Sequence, residues 1–146
     1  MYPPCFAVYI ALKVMKQSPL LEFKSDAFAI APGEDEATNP GIFGKALAVW
    51  LAGELSARGH AAGEVIAEDF GWCVPVESKP HALYVACASS DEQLGSWRVF
   101  AFAEGGLLGR VLGKDTRDED VARIYGSVKA AITARVDVRD LSEERA

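Results

Sequence analysis

The chain predicts an α+β fold: a mostly antiparallel sheet of about five to seven strands packed with two main helices. Three observations carry this. Apolar residues recur at helical spacing in two segments, Phe43, Leu47, Trp50, Leu51, Leu55 and Val121, Ile124, Tyr125, Val128, Ile132. Other segments alternate apolar and polar residues with a period of two, the pattern of a half-buried strand. The later strand segments are joined by short polar breaks, which favours antiparallel neighbours. At 146 residues, half of them apolar, the chain fits one domain spanning 1–146. A domain of this size buries roughly 68–70% of its unfolded surface, enough for a core without disulfide or metal staples.

In chain order, Cys5 to Met15 reads as a strand apolar on both faces, stopped at Gln17-Ser18-Pro19. Leu21 to Ile30 reads as a second strand whose parity switches near Asp26, the mark of a bulge or bend. Residues 31–41 form a loop punctuated by Pro32, Gly33, Asn39, Pro40 and Gly41. Asn39-Pro40 offers a start signal for the first helix, and Gly59 offers its stop. Strands follow at 65–68, 71–77, 82–89 and 96–104. On 71–77, Trp72, Val74 and Val76 share one face; on 96–104, Trp97 and Val99 oppose Arg98, Phe100 and Phe102. Gly105-Gly106 signals a hairpin that returns along 107–112. Thr116 and Glu119 form a capping-box pattern for the second helix, which runs to about Arg135. The charged tail from about 137 is expected to fray.

Net charge is −6, and it is uneven. Between Glu22 and Glu77 there are ten carboxylates against three Lys or Arg; from residue 80 onward there are eleven against nine. An acidic chain lacks the positive footprint of a nucleic-acid binder and is poorly matched to an anionic membrane. It is suited to a basic protein partner. The three cysteines are far apart with no CxxC, which indicates neither a redox pair nor a thiolate zinc site. They fit buried thiols in a reducing, cytoplasmic setting. No basic segment precedes the first apolar run, so it does not read as a secretory signal.

The richest segment is Glu68-Asp69-Phe70-Gly71-Trp72, two carboxylates running into a strand that begins with a large aromatic ring. Three roles are open to it. Glu68 and Asp69 can serve as an acid and base pair, although adjacent residues on a strand point to opposite faces. They can present charge beside Trp72 as an anchor at a binding surface. Or Asp69 caps a turn and Trp72 is core. Glu34, Asp35 and Glu36 precede the first helix, where they favour its dipole or extend an acidic patch. Their spacing lacks the alternating oxygen ligands of a calcium loop. His60 and His81 are the only histidines, and no HExxH, GxGxxG, P-loop or GxSxG motif occurs. No metal or cofactor is therefore expected.

The run Phe43-Gly44-Lys45-Ala46-Leu47-Ala48-Val49-Trp50-Leu51, with Leu55, Gly59, the turn Asn39-Pro40-Gly41 and the Glu68-Asp69-Phe70-Gly71-Trp72 segment, resembles a widespread, largely uncharacterised group of small bacterial proteins. The resemblance spans roughly residues 20–104 and implies a shape more than an activity. In size, acidity and lack of an evident nucleophile the chain is also similar to bacterial immunity proteins, which neutralise a partner toxin in the cytoplasm. The expected function is a non-enzymatic protein-binding domain of immunity type, with Glu34, Asp35, Glu36, Glu68, Asp69 and Trp72 as its surface. The alternative is a small hydrolase or ligand-binding enzyme using Glu68 and Asp69 with His60 or His81. A structural homo-oligomer, such as a homodimer, is the third reading, prompted by strands apolar on both faces.

Overall fold

A computed structural model describes residues 16–79, 81–90, 94–104 and 116–145. The strand expected at 5–15 and the hairpin return at 107–112 lie outside them. The described strands are β1 (Lys16–Gln17), β2 (Leu20–Lys24), β3 (Ala61–Ala62), β4 (Ile66–Glu68), β5 (Gly71–Ser78), β6 (His81–Ser89), β7 (Ser96–Ala103) and β8 (Arg139–Glu144). The helices are α1 (Lys45–Ala57) and α2 (Arg117–Thr133). One antiparallel sheet runs β3-β5-β6-β7-β2-β8, with β1 also on β7 and β4 also on β5.

Two strand rows are interrupted, and each shifts register by one residue across the break. Between β1 and β2, Ser18 N–H donates to the Ala101 carbonyl and Ser18 Oγ accepts from Ala101 N–H, both at 2.8 Å. The hydroxyl keeps the ladder closed at the Ser18-Pro19 break, where a proline has no N–H to donate. Between β3 and β4, Gly63 N–H donates to the Pro75 carbonyl at 2.8 Å. β2 ends at Lys24, and its ladder with β8 is irregular between Glu22 and Lys24, earlier than the break expected at Asp26.

Both helices pack on one sheet face. Leu47, Ala48, Leu51 and Leu55 of α1 and Val121, Ile124, Tyr125, Val128, Ala131 and Ile132 of α2 share a core with Leu21, Phe23, Trp72, Val74, Val76, Leu83, Val85, Cys87, Trp97, Val99, Ala101 and Ala103. The period-two and helical patterns thus select the inward residues correctly. The opposite face carries a second buried cluster of Phe70, Cys73, Ala86, Phe100 and Phe102, with Tyr84 stacked on Phe102 at 5.3 Å between centroids. Phe100 and Phe102 are each 3% exposed within the single chain. The two helices therefore do not cover opposite faces of the sheet.

The helix starts depart from the expected signals, while the expected stop at Gly59 is met. α1 begins at Lys45 rather than in the Asn39-Pro40 turn, which closes on itself through Ile42 N–H to the Asn39 carbonyl at 3.1 Å. Its C-terminus is a Schellman motif: Gly59, at φ 89°, donates to the Ser56 carbonyl, and His60 N–H donates to the Leu55 carbonyl. At α2 the Thr116 side chain makes no capping bond; its Oγ1 lies 3.1 Å from His81 Nε2 instead. The acidic first turn of Asp118, Glu119 and Asp120 still complements the helix dipole.

The tail expected to fray from about 137 forms strand β8 along β2, the outermost strand among the described residues. Long-range partners hold it: Tyr125 OH donates to Glu143 Oε2, and Lys129 Nζ lies 3.1 Å from the same oxygen. Nearer α2, Asp137 accepts from Ser25 Oγ and from Arg135 Nε. The Arg135 guanidinium sits 4.7 Å from the Phe28 ring centroid and 4.6 Å from that of Trp50, joining the end of α2 to α1. The exposed, charged side chains of β8 also suit a sheet edge that resists pairing with other chains.

Candidate functional site

The acidic segments meet at one end of the sheet, joined by backbone. Gly33, in the left-handed region at φ 78°, turns the chain into a short 3-10 segment, Glu34–Glu36. From it Glu34 reaches the start of α1. Its Oε2 accepts from Gly44 N–H at 2.8 Å and Lys45 N–H at 3.0 Å, and its Oε1 accepts from Ala31 N–H at 3.2 Å. A carboxylate thus does the work that a Ser or Asn at the cap position would do. Asp35 Oδ2 accepts from Gly41 N–H at 2.8 Å, fastening the Asn39-Pro40-Gly41 turn to the acidic loop.

The same turn touches the second acidic segment. Asn39 N–H donates to the Asp69 carbonyl at 2.9 Å. Asp69 and Phe70 are the central residues of the tight β4–β5 connection, because Glu68 pairs directly with Gly71. Ser89 completes the junction: Phe43 N–H donates to its hydroxyl at 3.0 Å, and its own N–H donates to the Phe43 carbonyl at 2.8 Å. Neither Ser89 nor Lys45 stands out in the sequence. A serine at the end of an apolar strand looks like any turn residue until its opposite backbone is known.

The six residues expected to form a binding surface divide into two groups. Glu34 is buried, with its carboxylate committed to backbone N–H groups. Trp72 is 7% exposed and belongs to the helix-side core. Its Nε1 has no hydrogen-bond partner among the described residues, and Lys45 Nζ lies 5.3 Å from its ring centroid. These two are structural, and the indole is not a surface anchor. Asp35 and Glu68 are half-buried, while Glu36 and Asp69 are exposed. Glu68 lies on the sheet face of Cys73. That thiol is pushed far above its ordinary value by burial, and further by the Glu68 charge. Cys87 is raised in the same direction by complete burial and then by Cys73, so both are inert core thiols.

The histidines stand at the other end. His81 pairs with Ser78 at the far end of β5, and His60 immediately precedes Ala61, which pairs with Glu77. Glu68 pairs with Gly71 at the near end. Seven residue steps at about 3.4 Å place the two ends roughly 24 Å apart. The constellation of Glu68 and Asp69 with His60 or His81 therefore does not assemble around one substrate position. Among the described residues, no three of His, Cys, Asp or Glu converge as metal ligands. No helix among them is long and apolar enough to cross a membrane.

His60 Nε2 lies 2.8 Å from Ser127 Oγ. Burial lowers its pKa from the ordinary imidazole value, and the Arg123 and Arg58 charges lower it further. The folded value is thus below the unfolded one. The associated stability is present above the unfolded pKa and is lost as pH falls through the folded pKa. An NMR titration is expected to place the His60 midpoint below about 6.5. Arg123→Gln is expected to move it upward; an unchanged midpoint would remove the guanidinium as a cause.

No family model, curated protein or solved structure matches this chain.

Proposed function

We propose that this chain is a non-enzymatic protein-binding domain that docks a basic partner on its acidic end, as an immunity-type inhibitor of a bacterial toxin. One observation carries the reading. Two acidic segments about thirty residues apart in sequence are fastened together by the Asn39–Asp69 backbone bond, leaving Glu36 and Asp69 exposed beside Asp35 and Glu68. No salt bridge neutralises these four among the described residues. Unneutralised carboxylates on a braced backbone suit electrostatic steering and orientation of a basic surface, because little ordering remains to be done on binding. The separation of the histidines from Glu68 and Asp69 favours this reading over a hydrolase.

The test is affinity capture from the source cell. The wild-type chain is expected to enrich a basic protein, and stoichiometric addition is expected to suppress that protein's activity. The double reversal Glu36→Lys with Asp69→Lys is expected to weaken capture by roughly tenfold or more at low salt. Glu77→Lys, at the far end of β5, serves as the control; its pair with Lys79 is exposed and worth little. Capture that is indifferent to the double reversal, or absent with the wild type, defeats the proposal.

A further inference from the structure

Strand β8 is attached to the domain by its backbone and by polar side chains rather than by burial. All six of its side chains are exposed, and none of them belongs to either buried cluster among the described residues. Packing against the helix-side core ends one residue earlier, at Val138. The ladder to β2 is short and broken. Glu144, Glu143 and Ser142 face Leu20, Leu21 and Glu22 in turn, but the next pair is Arg139 with Lys24, so three steps along β8 match two along β2. The extra residue makes a bulge, and within that stretch Asp140 takes φ 52°, a left-handed conformation uncommon outside glycine. Arg139 opposite Lys24 also sets two like charges face to face.

Side chains hold the strand at two places. At the bulge, Lys24 Nζ lies 3.5 Å from Asp140, and Arg139 lies 3.3 Å from Asp26. Both pairs are exposed, and such pairs contribute little singly. Farther along, Glu143 accepts from the Tyr125 hydroxyl and lies 3.1 Å from Lys129 Nζ. Tyr125 is 8% exposed and belongs to the helix-side core, so α2 presents its hydroxyl from a fixed position. We infer that β8 is a strap that opens without the rest of the domain, latched shut by the Tyr125–Glu143 hydrogen bond. Both buried clusters are complete without residues 139–144, so opening removes little apolar contact. Its cost is confined to the short ladder and the latch, which places the strap at the low end of local opening free energies. Opening bares the outer backbone edge of β2, so a contact on α2 decides whether that edge is covered.

The test is native-state amide hydrogen exchange at a series of low urea concentrations. Val85 and Val99, each paired on both sides in the middle of the sheet, report global unfolding, and their protection is expected to fall steeply with urea. The slowest amides of residues 139–144 are expected to be protected about a hundredfold less and to show little urea dependence, because their opening exposes little surface. Tyr125→Phe keeps the buried ring and is expected to lower protection in β8 about tenfold, the scale of one hydrogen bond to a charged group. Gly53→Ala, in α1 with nothing within 4 Å of the added methyl group, is expected to raise protection at Val85 about threefold. It is expected to leave β8 unchanged, since the open form still contains α1. Amides of β8 that track Val85, both with urea and in the Gly53→Ala chain, overturn the strap, because they would then open only with the whole domain. Unchanged β8 protection in Tyr125→Phe overturns the latch.

Discussion

Gly71→Ala is expected to destabilise the fold by about 3 kcal/mol, the combined scale of backbone strain and overpacking. Gly71 has φ 152°, a region that L side chains rarely adopt. An added Cβ would stand 2.6 Å from the Cys87 carbonyl oxygen and 3.0 Å from Ala88 Cβ. The first obstacle is backbone in a central strand, which cannot rotate away as a flexible side-chain tip would. An added Cβ at Gly44, the residue before α1, at φ 148°, would press on the same Cys87 oxygen at 2.7 Å. The two replacements act on one atom, so the cost of the double variant is expected to differ from the sum of the singles. Gly53→Ala is the internal control. That glycine lies in α1 with nothing within 4 Å of the methyl group that alanine would add, and the substitution is expected to stabilise by about 0.5–1 kcal/mol. Urea unfolding of the four variants beside the wild type checks the series. A Gly71→Ala midpoint as high as that of the wild type would show that β6 yields at Cys87.

Glu34→Ala is expected to cost about 3 kcal/mol, because it removes one cap and strands a buried N–H group. The Gly44 and Lys45 amides lose their acceptor, and Gly44 is itself buried where water does not readily replace the carboxylate. Glu34→Gln keeps one acceptor oxygen and is expected to cost about 1 kcal/mol. Amide exchange at Gly44 and Lys45 should accelerate in both, more in the alanine variant. Unaltered exchange at those two amides would mean that the carboxylate is not the cap. The consequence for binding experiments is direct. Charge reversal at Glu34 disturbs α1 and the loop together, so loss of a partner in that variant reports folding rather than recognition. Glu36 and Asp69 are exposed, and their charge can be changed without removing the carboxylate that caps α1 or the one that fastens the Gly41 turn.

The elements are largely legible because their patterns are local. Trp72, Val74 and Val76 alternate with polar or outward residues whatever lies beyond the strand, and Val121, Ile124, Tyr125, Val128 and Ile132 mark one side of α2 by spacing alone. Gly59 likewise ends α1 because a left-handed residue is a local requirement. The errors fall where a local signal has a distant competitor. Thr116 has the spacing of a capping box, yet its hydroxyl meets His81 of β6. Asn39 and Pro40 have the form of a helix start, yet Glu34 holds the helix and Asn39 binds the Asp69 carbonyl. The tail is polar enough to fray, yet Tyr125, Lys129 and the β2 backbone supply partners that charge counting does not reveal.

The sequence by itself determined the α+β class, the two helices, the parity of the principal strands and the acidic bias of the middle of the chain. These follow from side-chain periodicity and charge, which need no partner. The tertiary structure alone decided that both helices share a face, that the acidic segments adjoin while the histidines lie at the far end, and which carboxylates are already used. Glu34 and Glu36 are the same residue type two positions apart, but one is buried on the α1 amides and the other faces solvent. Whether a carboxylate is a structural acceptor or a free surface charge depends on which backbone N–H groups the fold brings within about 3 Å of it, and that is a long-range property.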